Sequence, residues 1–476
     1  MNPVPRMLPL ALALTALAGC LHRAPAPRAP GAEQPREAAR RPPPMPDRPT
    51  AEPAPAPGPE VSLVPDGSSP DVVGVAVPLS GKYAKWGEAM LEGVALALEG
   101  STMRVVAKDT RGEPDGAADA LAQLKAEGAI AALGGVTAAE ALRAAETAQS
   151  LGLPFVSLAR TERVTDVGPF VFRHMLTPEA QARALAELAM GRRGARSFAI
   201  LWPTNAYGQE LAGAMWDEVE ARGGQVTGAE PYEPDRTNFA PLVKSMVGKL
   251  HLDERQDYVD AARDVTEKEK DPYRRRKAIE RLRASLPPIT DFDAVFVPDF
   301  ARNVALVAPA LAVEDVFTST CDPKELERAR KVTGRDGLKP VQLLGSNGWD
   351  DPSLLEKAGR YVQCAIFVDG FFAGSERPET KRFVEAFQAR YQHPPSILEA
   401  SAHDAAAAIH AVAARGAVNR EMLRSGLAGL RGFAGATGTF GFDERREVEK
   451  PLFFLTVDGA SIRELRPEEL APPGAG

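Results

Sequence analysis

A strand, a glycine-containing turn and a helix follow one another in Val72–Gly93, and this order constrains the fold more than any other segment. Val72–Val77 is a continuous apolar run rich in β-branched residues, which is typical of a parallel strand buried on both faces. Ser80 and Gly81 break the strand, and a helical pattern begins near Ala84. In open α/β folds such turns lie at the carboxyl edge of the sheet, where helix N-termini and backbone N–H groups bind ligands.

The same alternation of strands and helices recurs along most of the chain, which predicts parallel sheets covered by helices on both faces. The other predicted strands are Arg104–Lys108, Ile130–Gly135, Phe155–Leu158, Ser197–Trp202, Gln225–Glu230, Ala294–Pro298, Val341–Gly345 and Ala365–Asp369. Roughly 400 structured residues exceed what one hydrophobic core usually holds. We therefore predict an α/β protein with two Rossmann-like lobes of doubly wound parallel sheet.

The first 20 residues are organised like a secretory signal peptide. Arg6 precedes an apolar run, Leu8–Ala18, that is too short to span a bilayer. Leu17–Cys20 resembles the bacterial lipobox, which implies cleavage before Cys20, lipidation of this cysteine and anchoring of the periplasmic chain to a membrane. Leu21 after the cysteine favours the outer membrane under enteric sorting rules. The alternative is an ordinary signal peptide with an incidental cysteine.

Residues 21–70 are predicted to be a disordered tether. The segment is crowded with Pro, Ala and Arg and has almost no large apolar side chains, so it cannot bury a core. At roughly 3 Å per residue, its extended length approaches about 150 Å, which is enough to hold the folded part away from the membrane.

The composition and motifs argue against several classes of function. The net charge is −7 and the pI about 5.6, with no basic stripe outside the tether, so we expect no nucleic-acid partner. No nucleophile elbow, HExxH, Walker A or CxxC motif occurs, and we predict neither enzymatic activity nor a cofactor or metal site. His403 and Asp404 are adjacent on a predicted helix, so we expect their side chains to point in different directions rather than form a dyad.

Two cysteines, Cys321 and Cys364, follow the tether. Their spacing matches no metal motif, and neither of them adjoins a histidine. In an oxidising periplasm they can form a disulfide, and the sequence leaves both this pairing and free thiols open.

Several short segments occur in an order and spacing that resemble one known family. They are Pro78–Gly93, Leu133–Thr137, Phe155–Ser157, Asn205–Gly208, Gly435–Gly438 and Phe442–Asp443. The family is the leucine/isoleucine/valine-binding group of type I periplasmic binding proteins, which serve ABC transporters. The resemblance covers residues 71–465, approximately.

This resemblance implies two lobes joined by a three-strand hinge, which close on a ligand like a clamp. Lobe one is expected to contain residues 71–176 and 371–434, and lobe two residues 177–370 and 435–476. Arg173–Met175 and Phe371–Phe372 fall near two of the crossings, where backbone torsions would change.

The resemblance also implies a ligand site. Trp86 matches the aromatic residue that walls the pocket, and Tyr207 matches the tyrosine that reaches in from lobe two. Ser157, Ala159 and Thr161 match the loop that binds the ligand's carboxylate through backbone and hydroxyl groups. The alternatives are a core aromatic residue for Trp86 and capping of a strand end for Ser157 and Thr161.

Other positions depart from the family's pattern. Ala138 occupies the place of the carboxylate-binding serine, with Thr137 before it as a substitute after a one-residue adjustment. Asn347 replaces the acid that holds the ligand's ammonium, and a neutral amide does not offset a buried ammonium as a carboxylate does. Phe300 stands in place of a tyrosine, and Asp299 beside it is either a substitute anion or a surface residue. These departures argue against amino-acid recognition by the family's usual pairs.

The second lobe contains a charged insertion at residues 249–286. Apolar residues at helical spacing predict two helices separated at Asp271–Pro272. The insertion is either a solvated helical hairpin packed on lobe two or a surface on which a partner docks.

Two functional hypotheses follow from these observations. The first is a lipid-anchored solute-binding protein that captures a small polar or amino-acid-like ligand for an ABC permease or a sensor. The second rests on the lipid anchor, tether and insertion, which resemble lipoproteins that activate penicillin-binding proteins and so stimulate a peptidoglycan synthase. This chain lacks the helical-repeat domain that some of those activators carry, which weakens the second hypothesis.

Overall fold

The computed structural model describes residues 66–161, 163–318 and 321–470 of the chain. The predicted signal peptide, Cys20 and nearly all of the predicted tether lie outside the described residues. Within the described residues we found no helix that combines the length and the apolar character needed to cross a bilayer.

The first lobe is built on a parallel sheet. Its elements are β1 Ser69–Val77, α1 Ala84–Ala97, β2 Arg104–Asp109, α2 Pro114–Ala126, β3 Ala129–Gly134, α3 Ala138–Leu151, β4 Phe155–Ser157 and β5 Val171–Arg173. Among the described residues the strand order is β2-β1-β3-β4-β5. All six residues of β3 are buried, as expected for a central strand covered by helices on both faces. The short strand β5 was not predicted.

The second lobe continues the same alternation. Its elements are α4 Pro178–Ala186, β6 Ser197–Pro203, α5 Ala206–Ala221, β7 Gln225–Tyr232, α6 Ala240–Met246, α7 Gln256–Lys268, α8 Pro272–Ser285, β8 Ala294–Val297, α9 Ala301–Val313, α10 Pro323–Thr333, β9 Gln342–Gly345, α11 Pro352–Ala358 and β10 Ile366–Asp369. The strands predicted in both lobes are present, with their ends shifted by a few residues. The prediction of two α/β lobes with parallel sheets is therefore confirmed.

The chain then returns to the first lobe before it ends in the second. The remaining elements are α12 Pro378–Tyr391, α13 Ile397–Ala414, α14 Arg420–Ala428, β11 Phe433–Gly435, β12 Gly438–Phe442, β13 Val448–Glu449, β14 Phe453–Asp458, β15 Ser461–Glu464 and α15 Pro467–Leu470. α13 packs on α1, where a side chain at Gly93 would collide with the backbone of Glu399. β14 and β15 extend the second sheet as antiparallel strands, in the described order β15-β14-β10-β9-β8-β6-β7.

The small sheet β11–β13 packs with the first lobe. Phe440 and Phe442 share a buried core with Val73 and Leu133 of β1 and β3. The return to the second sheet therefore lies between β13 and β14, later than the boundary at residue 435 implied by the resemblance.

Three crossings connect the two sheets in the described part of the chain, and each carries an ionisable side chain. His174 follows β5, Asp369 ends β10, and the half-buried Lys450 precedes β14. The Lys450 ammonium donates to the carbonyl of Gly370 at 3.0 Å, which ties two crossings together. Burial and the charge of Lys450 lower the pKa of His174 to about 3. Burial lowers the pKa of Lys450 to about 8, although Asp404 and Asp369 act in the opposite direction.

The insertion forms the two predicted helices, α7 and α8. Arg255 closes its base, because its guanidinium donates to the carbonyls of Gly248 at 3.3 Å and Pro287 at 2.9 Å. Asp271 caps α8 by accepting from the N–H of Arg274 at 2.8 Å. No residue of α8, all of which is described, is buried. The helix therefore lies on the surface of the lobe.

Cys321 and Cys364 form a disulfide with their Cα atoms 5.6 Å apart. Of the two alternatives left open by the sequence, pairing is the one observed. The bond links a residue two positions before α10 to a residue two positions before β10, and the two cysteines are 43 residues apart in sequence.

Candidate functional site

The turn after β1 brings α1 close to the strand end. The N–H of Leu79 and the hydroxyl of Ser80 donate to Asp109 at the end of β2, at 2.8 and 2.7 Å. An added Cβ at Gly87 would lie 1.8 Å from the carbonyl oxygen of Pro78. Only glycine allows this approach, so Gly87 fixes how the first turn of α1 meets the sheet.

Trp86 lies in that first turn and is 48% exposed. Its ring contacts Tyr83, with the two centroids 5.3 Å apart. A core aromatic residue would be buried, so the alternative interpretation of Trp86 does not describe this side chain. A half-exposed tryptophan beside the carboxyl edge of the sheet suits a ligand wall.

Thr137 caps the N-terminus of α3. Its hydroxyl oxygen accepts from the N–H of Glu140 at 3.3 Å, and the Glu140 carboxylate accepts from the N–H of Thr137 at 3.2 Å. Thr137 is half-buried and keeps its hydroxyl proton for another acceptor. Ala138 is exposed at the first position of the helix. The loop thus offers a helix N-terminus and one hydroxyl to an anion.

The loop after β4 is fixed by hydrogen bonds from Arg173. Ser157 is fully buried, and its hydroxyl oxygen accepts from the N–H of Ala159 at 3.3 Å. The guanidinium of Arg173 donates to the carbonyl of Arg160 at 3.0 Å and also to that of Thr161. Ser157 and Ala159 therefore shape the loop from inside, while Thr161 is half-buried at its surface.

Tyr207 is the centre of a polar network in the second lobe. Its hydroxyl lies 2.8 Å from Ser346 Oγ and 2.9 Å from Asn347 Oδ1, and it accepts from the N–H of Gly348 at 3.1 Å. The N–H of Asn347 donates to the buried Gln181 at 2.9 Å. Burial raises the pKa of Tyr207 to about 12. The side-chain oxygen of Asn347 is thus bonded to Tyr207.

The Tyr207 ring is covered from two sides. Phe300, which is 51% exposed, stacks on it with centroids 4.6 Å apart and planes inclined by 21°. The Arg160 guanidinium of the first lobe lies 4.5 Å from the same ring centroid. The structure therefore brings Arg160, Tyr207, Phe300 and Asn347 together across the cleft. Arg160 was missed by the sequence analysis, although a cation inside the predicted binding loop was a visible signal.

Asp299 is not the surface residue that we considered as one alternative. It is 2% exposed, and its carboxylate accepts from the hydroxyl of Tyr232 at 2.6 Å, the amide of Asn303 at 2.8 Å and the N–H of Phe300 at 2.7 Å. Burial and the charge of Asp299 raise the pKa of Tyr232. The surface interpretation was wrong, because Tyr232 of β7 reaches Asp299 from far away in sequence while Phe300 and Asn303 donate to it locally.

Two further acids, which the sequence analysis did not single out, are Asp369, buried at the end of β10, and the half-buried Asp350. Asp369 accepts from the N–H of Gly370 at 2.6 Å. Burial and the charge of Asp350 raise the pKa of Asp369 well above its usual range. Burial, with the charge of Asp351, raises the pKa of Asp350 to about 7. These carboxyl groups favour their neutral forms more than exposed acids do.

The expectation that His403 and Asp404 point apart was wrong. His403 Nδ1 lies 3.0 Å from Asp404 Oδ1. Asp404 is fully buried and accepts from the N–H groups of Ala436 at 2.6 Å and Thr437 at 2.8 Å. Asp404 thus joins α13 to the loop between β11 and β12, in addition to its contact with His403.

One group of side chains has the composition of a metal site. Potential ligand atoms of Glu92, His393 and Glu399 lie within 4.8 Å of one another. The Glu399 carboxylate, however, accepts from the N–H of Ser396 at 2.9 Å within the capping box of α13. This commitment to helix capping removes a ligand that a metal ion would need.

Comparisons with known proteins agree with this architecture. The chain is similar to a protein assigned to branched-chain amino acid ABC transport from Rhodospirillum rubrum, with 23% identity, a TM-score of 0.64, and coverage of 83% of this chain and 99% of that one. It is also similar to an ABC transporter substrate-binding protein from Sphaerobacter thermophilus, with 20% identity, a TM-score of 0.58, and coverage of 83% of this chain and 96% of that one. A third similar structure is an R. palustris solute-binding protein in complex with 4-hydroxybenzoate, with 18% identity, a TM-score of 0.55, and coverage of 83% of this chain and 96% of that one. At these identities the likeness establishes the fold.

Among curated proteins, the chain is 23% identical over 211 residues to an uncharacterized protein of Methanocaldococcus jannaschii, covering 40% of this chain. The match spans about half the length of that relative. A family model described as periplasmic binding protein matches residues 72–249 and 315–461, two segments that flank α7 and α8. These segments make up more than half of the chain, and the chain therefore belongs to the periplasmic binding protein family.

Proposed function

We propose that this chain is an extracytoplasmic solute-binding protein that closes its two lobes over a small carboxylate-bearing solute and presents it to an ABC transporter or a sensor. The observation that carries the proposal is the contact of Arg160 from the first lobe with the Tyr207 ring of the second. This contact places a cation between two lobes that each expose an aromatic side chain, Trp86 and Phe300. Family membership supports closure of the lobes as the mode of binding.

The ligands of related proteins support the carboxylate. The R. rubrum protein is named for branched-chain amino acids, and the R. palustris protein was solved with 4-hydroxybenzoate. These ligands share a carboxylate and an apolar body. The cleft of this chain offers a matching pair of features, because Arg160 and the N-terminus of α3 attract an anion while Trp86 and Phe300 receive an apolar group.

A thermal-shift screen tests this proposal. The panel contains amino acids, aliphatic and aromatic carboxylates, small peptides and cell-wall fragments. A ligand at 100 times its Kd adds about 2.7 kcal/mol of stability, which raises the melting temperature measurably. Trp86→Ala and Phe300→Ala should each lower the affinity for the ligand without unfolding the protein. Tyr273→Ala, which changes an exposed aromatic residue of α8, should leave the affinity unchanged. A panel that leaves the melting curve unchanged would contradict the proposal.

The membrane anchor is part of the same proposal. Lipidation of Cys20 and the tether of residues 21–70 would hold the binding domain at the outer membrane. Mass spectrometry of the mature N-terminus should detect a diacylglyceryl group, and Cys20→Ser should release the protein into the soluble periplasmic fraction. Unmodified Cys20 in the membrane fraction would refute the anchor.

A second candidate function is regulation of peptidoglycan synthesis through α8. This helix carries six basic residues (Arg274, Arg275, Arg276, Lys277, Arg281 and Arg283) against one acid, Glu280, and none of its residues is buried. Such a surface suits an acidic partner protein. The test is the rate of glycan polymerisation by a purified bifunctional synthase. Stimulation that is lost when Arg274, Arg276 and Arg281 are changed to Glu supports this function, and no stimulation by the unmodified chain excludes it.

A further inference from the structure

We infer that the cleft selects anions that lack an ammonium group, and that Arg160 is the residue that determines this specificity. The inference rests on the proposed function and names its substrate class: a small carboxylate with an apolar or aromatic body and no amine. The argument depends on which charged groups of the cleft are still available to a ligand.

The first step is the position of Arg160. Its backbone is held by Arg173, whose guanidinium donates to the Arg160 carbonyl. Over the residues that the structure describes, the Arg160 side chain has no hydrogen bond or ion pair, and its contact is with the face of Tyr207. A guanidinium that lies over an aromatic ring keeps its N–H groups at the edge, where they match the two oxygens of a carboxylate.

The second step is the absence of a partner for an ammonium among the described cleft residues. Asn347 carries no charge, and its side-chain oxygen is bonded to Tyr207. The carboxylate of Asp299 is buried and already accepts three hydrogen bonds. Asp350 and Asp369 lie in surroundings that raise the pKa of each and so disfavour the ionised acid. An ammonium brought into this cleft would therefore meet a neutral amide and an acid that is already hydrogen-bonded, and it would have to ionise Asp350 or Asp369 against their surroundings.

The third step is the apolar surface that surrounds the cation. Phe300 stacks on Tyr207 and is still half exposed, and Trp86 is half exposed on the opposite lobe. Large aromatic side chains that remain exposed at a cleft bury apolar area when a ligand binds. The site therefore matches a ligand with one charged end and an apolar remainder.

The experiment compares compounds that differ only in their charged groups, using titration calorimetry on the full-length chain. The carboxylates are 4-methylpentanoate and 3-phenylpropionate, the corresponding amino acids are leucine and phenylalanine, and the corresponding amines are 3-methylbutylamine and 2-phenylethylamine. We expect at least one carboxylate to bind at least about tenfold more tightly than its amino acid, and neither amine to bind. Arg160→Gln removes a charge-assisted hydrogen bond and should lower the affinity for that carboxylate by about 10- to 100-fold.

Two further variants make the result specific. Arg160→Lys keeps the charge and should restore part of the affinity. Arg143→Gln removes an exposed arginine of α3 that pairs with Glu146, so it matches the change in net charge and should leave the affinity unaltered. Amino acids that bind at least as tightly as both carboxylates, or a carboxylate affinity that survives Arg160→Gln, would overturn the inference while leaving the proposed function intact. Failure of all six compounds to bind would also overturn it, and the wider thermal-shift panel decides the proposed function separately.

Discussion

Replacing Tyr207 by phenylalanine removes one oxygen atom from the centre of the polar network in the second lobe. The ring remains, so its contacts with Phe300 and Arg160 are kept. The hydroxyl joins the N-terminus of α5 to the turn that contains Ser346, Asn347 and Gly348. The substitution therefore separates the hydrogen bonds of this network from the packing of the ring.

The expected loss of unfolding free energy depends on which groups lose a hydrogen-bond partner. The Tyr207 hydroxyl donates to the Asn347 oxygen and accepts from Ser346 and from the Gly348 N–H, which uses its full bonding capacity. Ser346 is fully buried, so water does not replace the lost bond there, whereas Asn347 is only half-buried. A buried polar group left without its partner costs about 1–3 kcal/mol. We expect Tyr207→Phe to lower the free energy of unfolding by about 2–3 kcal/mol.

Urea unfolding followed by tryptophan fluorescence measures this change. Tyr273→Phe is the matched control, because Tyr273 is 61% exposed and its hydroxyl makes no hydrogen bond to any described residue. Ligand affinity should fall as well, since the turn that holds Asn347 is released. A loss smaller than about 0.5 kcal/mol, the range of ordinary surface substitutions, would show that the network does not hold this turn.

Three other predictions concern the crossings and the disulfide. His174 is buried with its pKa lowered to about 3, so the folded chain loses stability as the pH falls from 6.5 toward 3, because only the unfolded chain then binds a proton at this residue. In urea titrations between pH 6.5 and 5, the unmodified chain should lose about 2 kcal/mol more unfolding free energy than His174→Leu. Lys450 has its pKa lowered to about 8, so between pH 8 and 10.5 only the unfolded chain keeps the proton and the folded chain gains stability as the pH rises. Lys450→Met should lack this increase in unfolding free energy, which is at most about 1.4 kcal/mol per pH unit. Changing both Cys321 and Cys364 to serine should cost about 2–4 kcal/mol, and dithiothreitol should then have no further effect on the unfolding midpoint.

Most of the fold could be predicted because the central strands are continuous apolar runs. Val72–Val77 and Ser197–Trp202 are buried on both faces, and the glycines and prolines that follow them end each run clearly. The short strand β5 and the antiparallel strands β14 and β15 were not predicted. Three residues are too few for a periodic pattern, and neither β14 nor the edge strand β15 alternates buried and exposed residues regularly.

The candidate site could be predicted only in part. The order of short segments located Trp86 and Tyr207, because each follows a recognisable strand end. The contact of Arg160 with Tyr207 depends on how two lobes meet, and no local pattern records that distance. The burial of Asp299 was missed because its partner Tyr232 comes from β7, a separate strand of the second lobe. The role of a polar residue near a strand end depends on its tertiary partners, which its neighbours in sequence do not reveal.

Under the proposed function, the fold and the charge of the accepted ligand are determined by different residues in this chain. Gly87, the Thr137 cap and Arg173 place backbone segments, and they act through close packing and internal hydrogen bonds. Asn347 and Arg160 lie on that frame, and a neutral residue at position 347 together with Arg160 makes this region more positive than an acid at position 347 would. A family member can therefore keep the closing mechanism while the charge it accepts changes through two side chains. This is why membership in the family constrains how the ligand is enclosed more strongly than which ligand is enclosed.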